Sequence, residues 1–354
     1  MPDALLRNDE IGTLLLAASL EEDGHRRRAL DRAAKFAWIW PEEAAGLVRS
    51  GRALTELQNV GPWVAAKIEA WFESRPPVPE PDETRRGFLT YAQIRAALDE
   101  DPSWEAAPHG DLQVHSTDSD GSTPLTSMAA AAADLGRSFM ASTDHSTSLR
   151  IANGMSADEL REQGRRIDAT NEGFAADGST FRVLRSIEMD VFEDGSCDMQ
   201  PQEVEALDLV LGAFHTKLRR KEDVTDRYLR ALNNPLVHVL AHPTTRMFGR
   251  RAGLIADWPR VFAEAARLGK AVELDATPRR QDLPLELAEV ALAEGVAWFS
   301  MGSDAHSPDE LRHLPIAMGT AILAGIPKKR FLNYLPPSEV TVWANNVSAG
   351  QERG

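Results

Sequence analysis

Nine histidines occur in the chain, and five of them, His115, His145, His215, His242 and His306, each follow a short apolar run that reads as a β-strand. Carboxylates stand at the same kind of position: Asp120 in "GDLQVHSTDSDG", Asp144 in "ASTDHS", Glu188 in "RSIEMD" and Asp304 in "GSDAH". Gln113 is the odd member. It stands two residues before His115, on the same face of an extended strand, where a second metal-binding histidine would sit. Imidazole and carboxylate donors without thiolate suit zinc, manganese or iron, and donors in excess of one coordination sphere imply more than one ion. Taken singly, a histidine such as His215 or His242 is more often a satisfied core or surface residue. The joint pattern changes that balance, because scattered histidines fall in helices and linkers, as His25, His109 and His313 do. His238 in "VHVLAHP" lies mid-strand and reads as structural.

The elements that must position these donors are strands and helices in alternation. Strands are expected at 111–115, 138–142, 183–188, 208–213, 237–241, 271–275 and 297–302, with helical patterns such as "SADELREQGRRIDATNEGF" and "WPRVFAEAARLG" between them. Seven such units predict a parallel sheet closed, or nearly closed, into a barrel, whose C-terminal strand ends would bring the donors together. Residues 1–74 show helical spacing in "IGTLLLAASL", "RRALDRAAKFAWIW", "EEAAGLVRS" and "WVAAKIEAWF". The stretch "SRPPVPEPDETRRG" reads as an extended linker, and "TYAQIRAALDED" as a short helix bridging to the second domain. The expected organisation is therefore a helical domain at 1–74, a linker and short helix at 75–109, an α/β domain at 110–345 and a C-terminal tail at 346–354.

At 354 residues and 43% hydrophobic content the chain has room for one large domain and a small one. A net charge of −15 opposes a whole-surface nucleic-acid footprint while leaving room for a local basic groove. Bound divalent cations would offset part of that charge at the site itself. The single cysteine, Cys197, excludes an internal disulfide framework and a cysteine-based zinc site, and it fits a reducing compartment. No charged segment followed by an apolar one opens the chain, and no apolar run approaches the roughly 18 residues of a membrane span, so a cytoplasmic protein is expected.

From 110 to about 345 the chain resembles the PHP domain, the polymerase and histidinol phosphatase superfamily, and within it the PHP domain of bacterial family X DNA polymerases. The resemblance rests on "GDLQVHSTDSDG", "ASTDHSTSLRIANGMS", "RSIEMDVFEDGSCD", "DLVLGAFHTK", "LAHPTTRMFGRR", "VELDATPRRQDLP" and "GSDAH". It implies a distorted (β/α)7, TIM-like barrel holding two to three divalent ions, manganese, zinc or iron. By position, one implied site is Gln113, His115, Glu188 and Asp304; a second is Asp120, His145 and His306; a third is Glu188, bridging, with His215 and His242. Gln113 departs from the pattern, since a neutral amide is a poorer donor than imidazole for zinc, and this retunes the first site. "LTELQNVGPWVAAKIEAWF" is similar to a helix-hairpin-helix, which implies DNA contact through Asn59, Gly61 and Lys67. Only about 35 residues separate this motif from Gly110, too few for a polymerase palm and fingers, so the chain looks like a family X polymerase without its polymerase core.

The implied chemistry is metal-dependent phosphoester hydrolysis, with Lys217 and Arg246, close in sequence to His215 and His242, cradling the phosphate. Domain pairing favours DNA ends or abasic sites in repair, as a 3′-5′ exonuclease, 3′-phosphatase or abasic-site activity. The alternatives are a phosphomonoesterase on a small metabolite, like the histidinol phosphatases, and a non-catalytic, metal-bound scaffold for a repair partner.

Overall fold

The structure is a computed structural model in which residues 5–351 are described. The chain divides into two compact units between Asp101 and Pro102. The first is all-helical: α1 (Asn8–Ser19), α2 (Gly24–Phe36), α3 (Ala44–Arg49), α4 (Pro62–Ser74) and α5 (Tyr91–Glu100). Its core is Ile11, Leu15, Leu30, Leu47, Leu54 and Ile68, the apolar stripes of four short helices that could not stand alone in water. The buried Asn8 amide ties the start of α1 to α3, accepting from the Ala44 N–H at 2.9 Å and donating to the Glu42 carbonyl at 3.0 Å.

Helix α5 stands where a short helix is expected after the linker. Thr90 and Gln93 cap its start reciprocally, and Ile94, Ala97 and Leu98 are buried. It falls within the first unit. Between α4 and α5 the chain is irregular apart from a short 3-10 turn at Glu83–Arg85.

In the second unit seven strands, β1 (Gly110–Val114), β2 (Phe139–Ser142), β3 (Arg182–Asp190), β4 (Leu209–Ala213), β5 (Val239–Leu240), β6 (Ala271–Asp275) and β7 (Trp298–Gly302), pair in sequential order. Every pair is parallel. Helices intervene between successive strands, the longest being Ala157–Ala176, whose Ser156 and Glu159 form a capping box. The sheet is a nearly closed α/β barrel of TIM-like type. Alternation puts Leu184, Ser186, Glu188 and Asp190 on one face of β3, and Ala271, Glu273 and Asp275 on one face of β6. The lower part of the interior is apolar, with Leu209, Leu211, Val239 and Ala271 packed with Val340 and Trp343 of the helix Pro337–Gln351. Toward the C-terminal strand ends the same faces turn acidic. That last helix corrects the expected tail, which is helical from 346 to 351; residues 352–354 lie outside the described residues.

The seam between β1 and β7 is closed by a mixture of backbone and side-chain bonds. Near the C-terminal strand ends, the Asp304 N–H donates to the Gln113 carbonyl at 3.0 Å and the His115 N–H to the Ala305 carbonyl at 2.8 Å. At the other end the fully buried Asn333 donates to the carbonyls of Gly110 (2.9 Å) and Met301 (2.8 Å) and accepts from the Met301 N–H (2.8 Å). Replacing Asn333 with Ala strands these buried backbone groups and should destabilise the protein by about 3 kcal/mol, since each unsatisfied buried group costs roughly 1–3 kcal/mol. Urea denaturation checks this: the midpoint should fall with little change in slope.

Candidate metal centre

Glu188, near the end of β3, is the centre of the arrangement. Its Oε1 lies 3.0 Å from His215 Nε2 and 2.6 Å from His242 Nε2. Its Oε2 lies 3.3 Å from both His115 Nε2 and His145 Nδ1. One buried carboxylate thus faces four imidazoles delivered by β1, β2, β4 and β5. His115 continues to Asp304 Oδ1 at 3.1 Å, and Asp120 Oδ1 collects His306 Nε2 at 3.1 Å and His145 Nε2 at 3.5 Å.

Three overlapping donor groups result: His115, Asp120, His145 and His306; His145, Glu188 and His215; His115, Glu188 and Asp304. Within each, one donor atom per residue lies within 4.8 Å of the others. These differ in part from the implied sets. His145 joins the Glu188–His215 group, and His115 joins the Asp120 group. His242 approaches the same Glu188 oxygen as His215 but stands outside the three groups.

The donors fit divalent metal. His115 has neither ring nitrogen hydrogen-bonded, and His145 Nδ1, His215 Nδ1, His242 Nδ1 and Glu188 Oε2 are likewise buried without a hydrogen-bond partner. Orphaned buried polar atoms are costly, and so many in one place point to an ion as their common partner. Gln113 belongs to this pattern: it is fully buried, and both its amide atoms lack a partner. A Cβ added at Gly302 would stand 2.6 Å from Glu273 Oε1 and 3.0 Å from Gln113 Oε1, so the glycine makes room for two oxygen donors side by side.

Electrostatics link the donors to protons. Burial works against a charged His115 ring, yet Asp304 and Glu188 outweigh it and raise its pKa well above the ordinary value. Burial likewise opposes His215, but Glu188 and Asp190 push it up to about 9. His306 is raised against burial by Asp120. Glu188, Asp120 and Asp304 are held below the usual carboxylate range, against burial, by the surrounding cations. His242 moves the other way, lowered by burial and by Arg280.

Several residues that shape the site carry no signal in a search for histidines at strand ends. Asp190, two residues beyond Glu188, places Oδ1 3.4 Å from His215 Nδ1, and strand alternation alone could have found it. Glu273 and Asp275 project from β6, their pKa values raised by burial and by neighbouring carboxylates. Arg280 sets its Nε 3.4 Å from Asp304 Oδ2 and 3.6 Å from Asp275 Oδ2. Asp144, by contrast, organises the loop that carries Asp120. Its oxygens accept from the Ser116 N–H (2.8 Å), the Ser116 and Ser119 hydroxyls (2.8 and 2.6 Å) and the Gln163 amide (2.7 Å), which leaves little capacity for a metal. Gly121 completes that loop: its N–H donates to the Ser116 carbonyl, and a Cβ there would collide with the Ser116 backbone at 2.7 Å.

The two expected phosphate cradles are not where sequence adjacency would put them. Lys217 adopts a left-handed backbone conformation and turns its ammonium to Glu193. Arg246 is buried, its pKa pushed down to about 10 by that burial, and its Nε donates to the Arg280 carbonyl at 2.8 Å. Arg246 props the loop, and Arg280 is the guanidinium that reaches the cluster.

In the helical unit, Asn59 takes a left-handed conformation (φ 65°) in the turn before α4, and Gly61, with φ −81°, is the N-cap of α4 with open space where a Cβ would stand. Lys67 Nζ lies 5.6 Å from the Trp71 ring centroid and 6.0 Å from that of Trp63.

Comparison with known proteins places this geometry in context. No family model matches the chain. Part of a bacterial polymerase does. Over 225 residues the chain is 36% identical to the DNA polymerase/3′-5′ exonuclease PolX of Bacillus subtilis, spanning 63% of this chain and 39% of that protein. A probable phosphatase of Tolumonas auensis is 26% identical over 158 residues, 44% of this chain and 64% of the relative. The chain thus spans about two fifths of the first relative's length and under two thirds of the second's. A histidinol phosphate phosphatase from Lactococcus lactis, solved with zinc, L-histidinol and phosphate, superposes with a TM-score of 0.43 and 14% identity, covering 60% of this chain and 94% of that one.

Metal uptake should release protons. A ligating imidazole must be neutral, whereas His215 near pH 7 is mostly imidazolium because its pKa is raised to about 9. Apparent affinity should therefore climb with pH by up to about tenfold per unit for each proton displaced, and level off above about 9. Calorimetric titration with manganese in buffers of different ionisation enthalpy checks this; at least one proton released per ion at pH 7 is expected.

Proposed function

We propose that the chain is a metal-dependent phosphoesterase of the PHP kind, with two to three divalent ions held by the donors around Glu188. The observation that carries the reading is the sharing of donors: His115, His145 and Glu188 each serve two of the three groups, which is how adjacent ions are held close together. Such ions supply an activated water and neutralise charge on the phosphoryl oxygens. The chain's own part is to hold donors rigidly on strand ends, to carry protons on His215 and His306 until metal displaces them, and to offer Arg280 as a bidentate partner for a phosphoryl oxygen pair. Gln113 and the carboxylates around it add oxygen donors, which favours manganese over zinc at that end of the cluster.

The natural substrate on this reading is the phosphodiester at a DNA end or abasic site, in a cytoplasmic repair setting. Support comes from the similarity to part of PolX, whose name includes a 3′-5′ exonuclease, and from the hairpin before α4, where Asn59, Gly61 and Lys67 would meet a DNA phosphate. A second reading, hydrolysis of a small phosphomonoester, is favoured by the similarity to probable phosphatases.

The test is to assay manganese-loaded protein side by side on single-stranded DNA, 3′-phosphorylated DNA and a generic phosphomonoester. The double variant His215→Ala, His242→Ala should lose hydrolysis of every substrate by at least about 100-fold with the fold retained by circular dichroism. Arg280→Ala should raise KM chiefly, because the guanidinium binds ground state and transition state alike. Absence of hydrolysis by the parent on all three substrates would reject the reading.

A further inference from the structure

Charge on the loops at the C-terminal strand ends is segregated. The loop after β4 carries Lys217, Arg219, Arg220 and Lys221 against Glu222 and Asp223; the loop after β5 carries Arg246, Arg250 and Arg251 against Asp257; the loop after β6 carries Arg279 and Arg280 against Asp282. The other four loops carry Asp118, Asp120, Asp144, Glu193, Asp194, Asp198, Asp304, Asp309 and Glu310, against the basic residues Arg150 and Arg312. β4, β5 and β6 are neighbours in the sheet, so the basic loops form one continuous arc beside the metal-donor cluster. In a chain of net charge −15 such an arc is not needed for solubility.

Part of the arc is neutralised internally, and part is not. Lys217 and Arg220 share Glu193, and Arg220 also approaches Glu222 at 3.5 Å. Arg219, Lys221, Arg250 and Arg279 are exposed and have no carboxylate within 4 Å among the described residues. Arg251 shows the crowding: burial and the nearby charges of Arg280 and Arg219 lower its pKa, with Asp282 opposing. The loops are also joined to one another, since the Phe248 N–H donates to the Arg279 carbonyl at 2.8 Å. An open hollow is lined by Lys217, Arg219, Arg220, Lys221 and Glu222.

A small phosphomonoester presents one phosphate, which the cluster and Arg280 can match; four further unpaired cations would have nothing to neutralise. A chain of phosphates would use them all. We propose that the arc over the β4, β5 and β6 loops is the track of a single polynucleotide strand, whose flanking phosphates lie on Arg219, Lys221, Arg250 and Arg279 while its terminal phosphodiester enters the cluster. The acidic loops after β1, β3 and β7 repel the strand and leave it one side of the barrel mouth. This proposal rests on the phosphoesterase reading and adds to it where the strand runs.

The test compares the parent with the triple variant Arg219→Glu, Arg250→Glu, Arg279→Glu, all at exposed positions. Strand binding is read by fluorescence anisotropy of a short 5′-labelled single-stranded oligonucleotide whose 3′ linkages are phosphorothioates, and catalysis by hydrolysis of bis(p-nitrophenyl) phosphate with manganese. Four neutralised phosphates predict a log–log salt slope of about −3 for the parent, or roughly 50-fold weaker binding between 50 and 200 mM salt. The variant should bind at least about 10-fold more weakly, with the slope reduced by about 2, and hydrolyse the small diester at the parental rate. A parent that binds the strand this way but hydrolyses no ester would sink the catalytic reading and leave the track standing. Equal oligonucleotide affinity and equal salt slope in both proteins would overturn the track, even with diester hydrolysis intact.

Discussion

The carboxylate of Glu188 is the constraint around which the rest of the second unit is arranged. An isolated ionised carboxylate buried in protein is prohibitively costly, and here it is fully buried. Four imidazoles, two on each oxygen, surround it; His115 and His215, their pKa values raised, supply positive charge, and divalent ions held among these donors would supply more. Those imidazoles come from four different strands, so the site can exist only if the strands hold their register. The barrel supplies that: sequential parallel pairing fixes the strand ends relative to one another, and the Asn333 and Asp304 bonds close the seam next to which Gln113 and His115 stand.

A second layer of carboxylates keeps the first in place without joining it. Asp144 spends its oxygens on the loop that presents Asp120, and Asp190 backs His215. Arg280 is fixed from behind by Arg246, which accounts for why the latter is buried and tied to backbone. The division of the barrel mouth into acidic and basic halves follows the same economy of position. Acid gathers on the loops after β1, β3 and β7, beside the donors Asp120, Glu188 and Asp304. Base gathers on the loops after β4, β5 and β6.

Much of this was legible in the sequence, and the reasons are physical. A strand buried on both faces reads as a short apolar run, and a barrel site must sit where those runs end, so His115, His145, Glu188, His215, His242, Asp304 and His306 could be picked out by position. Asp190 was missed although strand alternation from Glu188 predicts its side. Glu273, Asp275 and Arg280 sit on β6 and its loop, which contributes no histidine to draw the eye. Sequence adjacency misled for Lys217 and Arg246, because a left-handed residue or a buried turn sends a side chain away from its neighbour two or four positions earlier. Helix α5 was legible as a helix, but which unit its apolar stripe would cover depends on tertiary packing that no local pattern encodes.

The central claim is that the donors around Glu188 form one multinuclear centre. Anomalous diffraction at the manganese edge, from crystals grown with that ion, tests it most directly. The account predicts two or more anomalous peaks, at least two of them in contact with Glu188 oxygens, with the orphaned nitrogens of His115 or His145 turned to metal. A single peak remote from Glu188, or none while His215 and His242 remain bonded to its carboxylate, would contradict it.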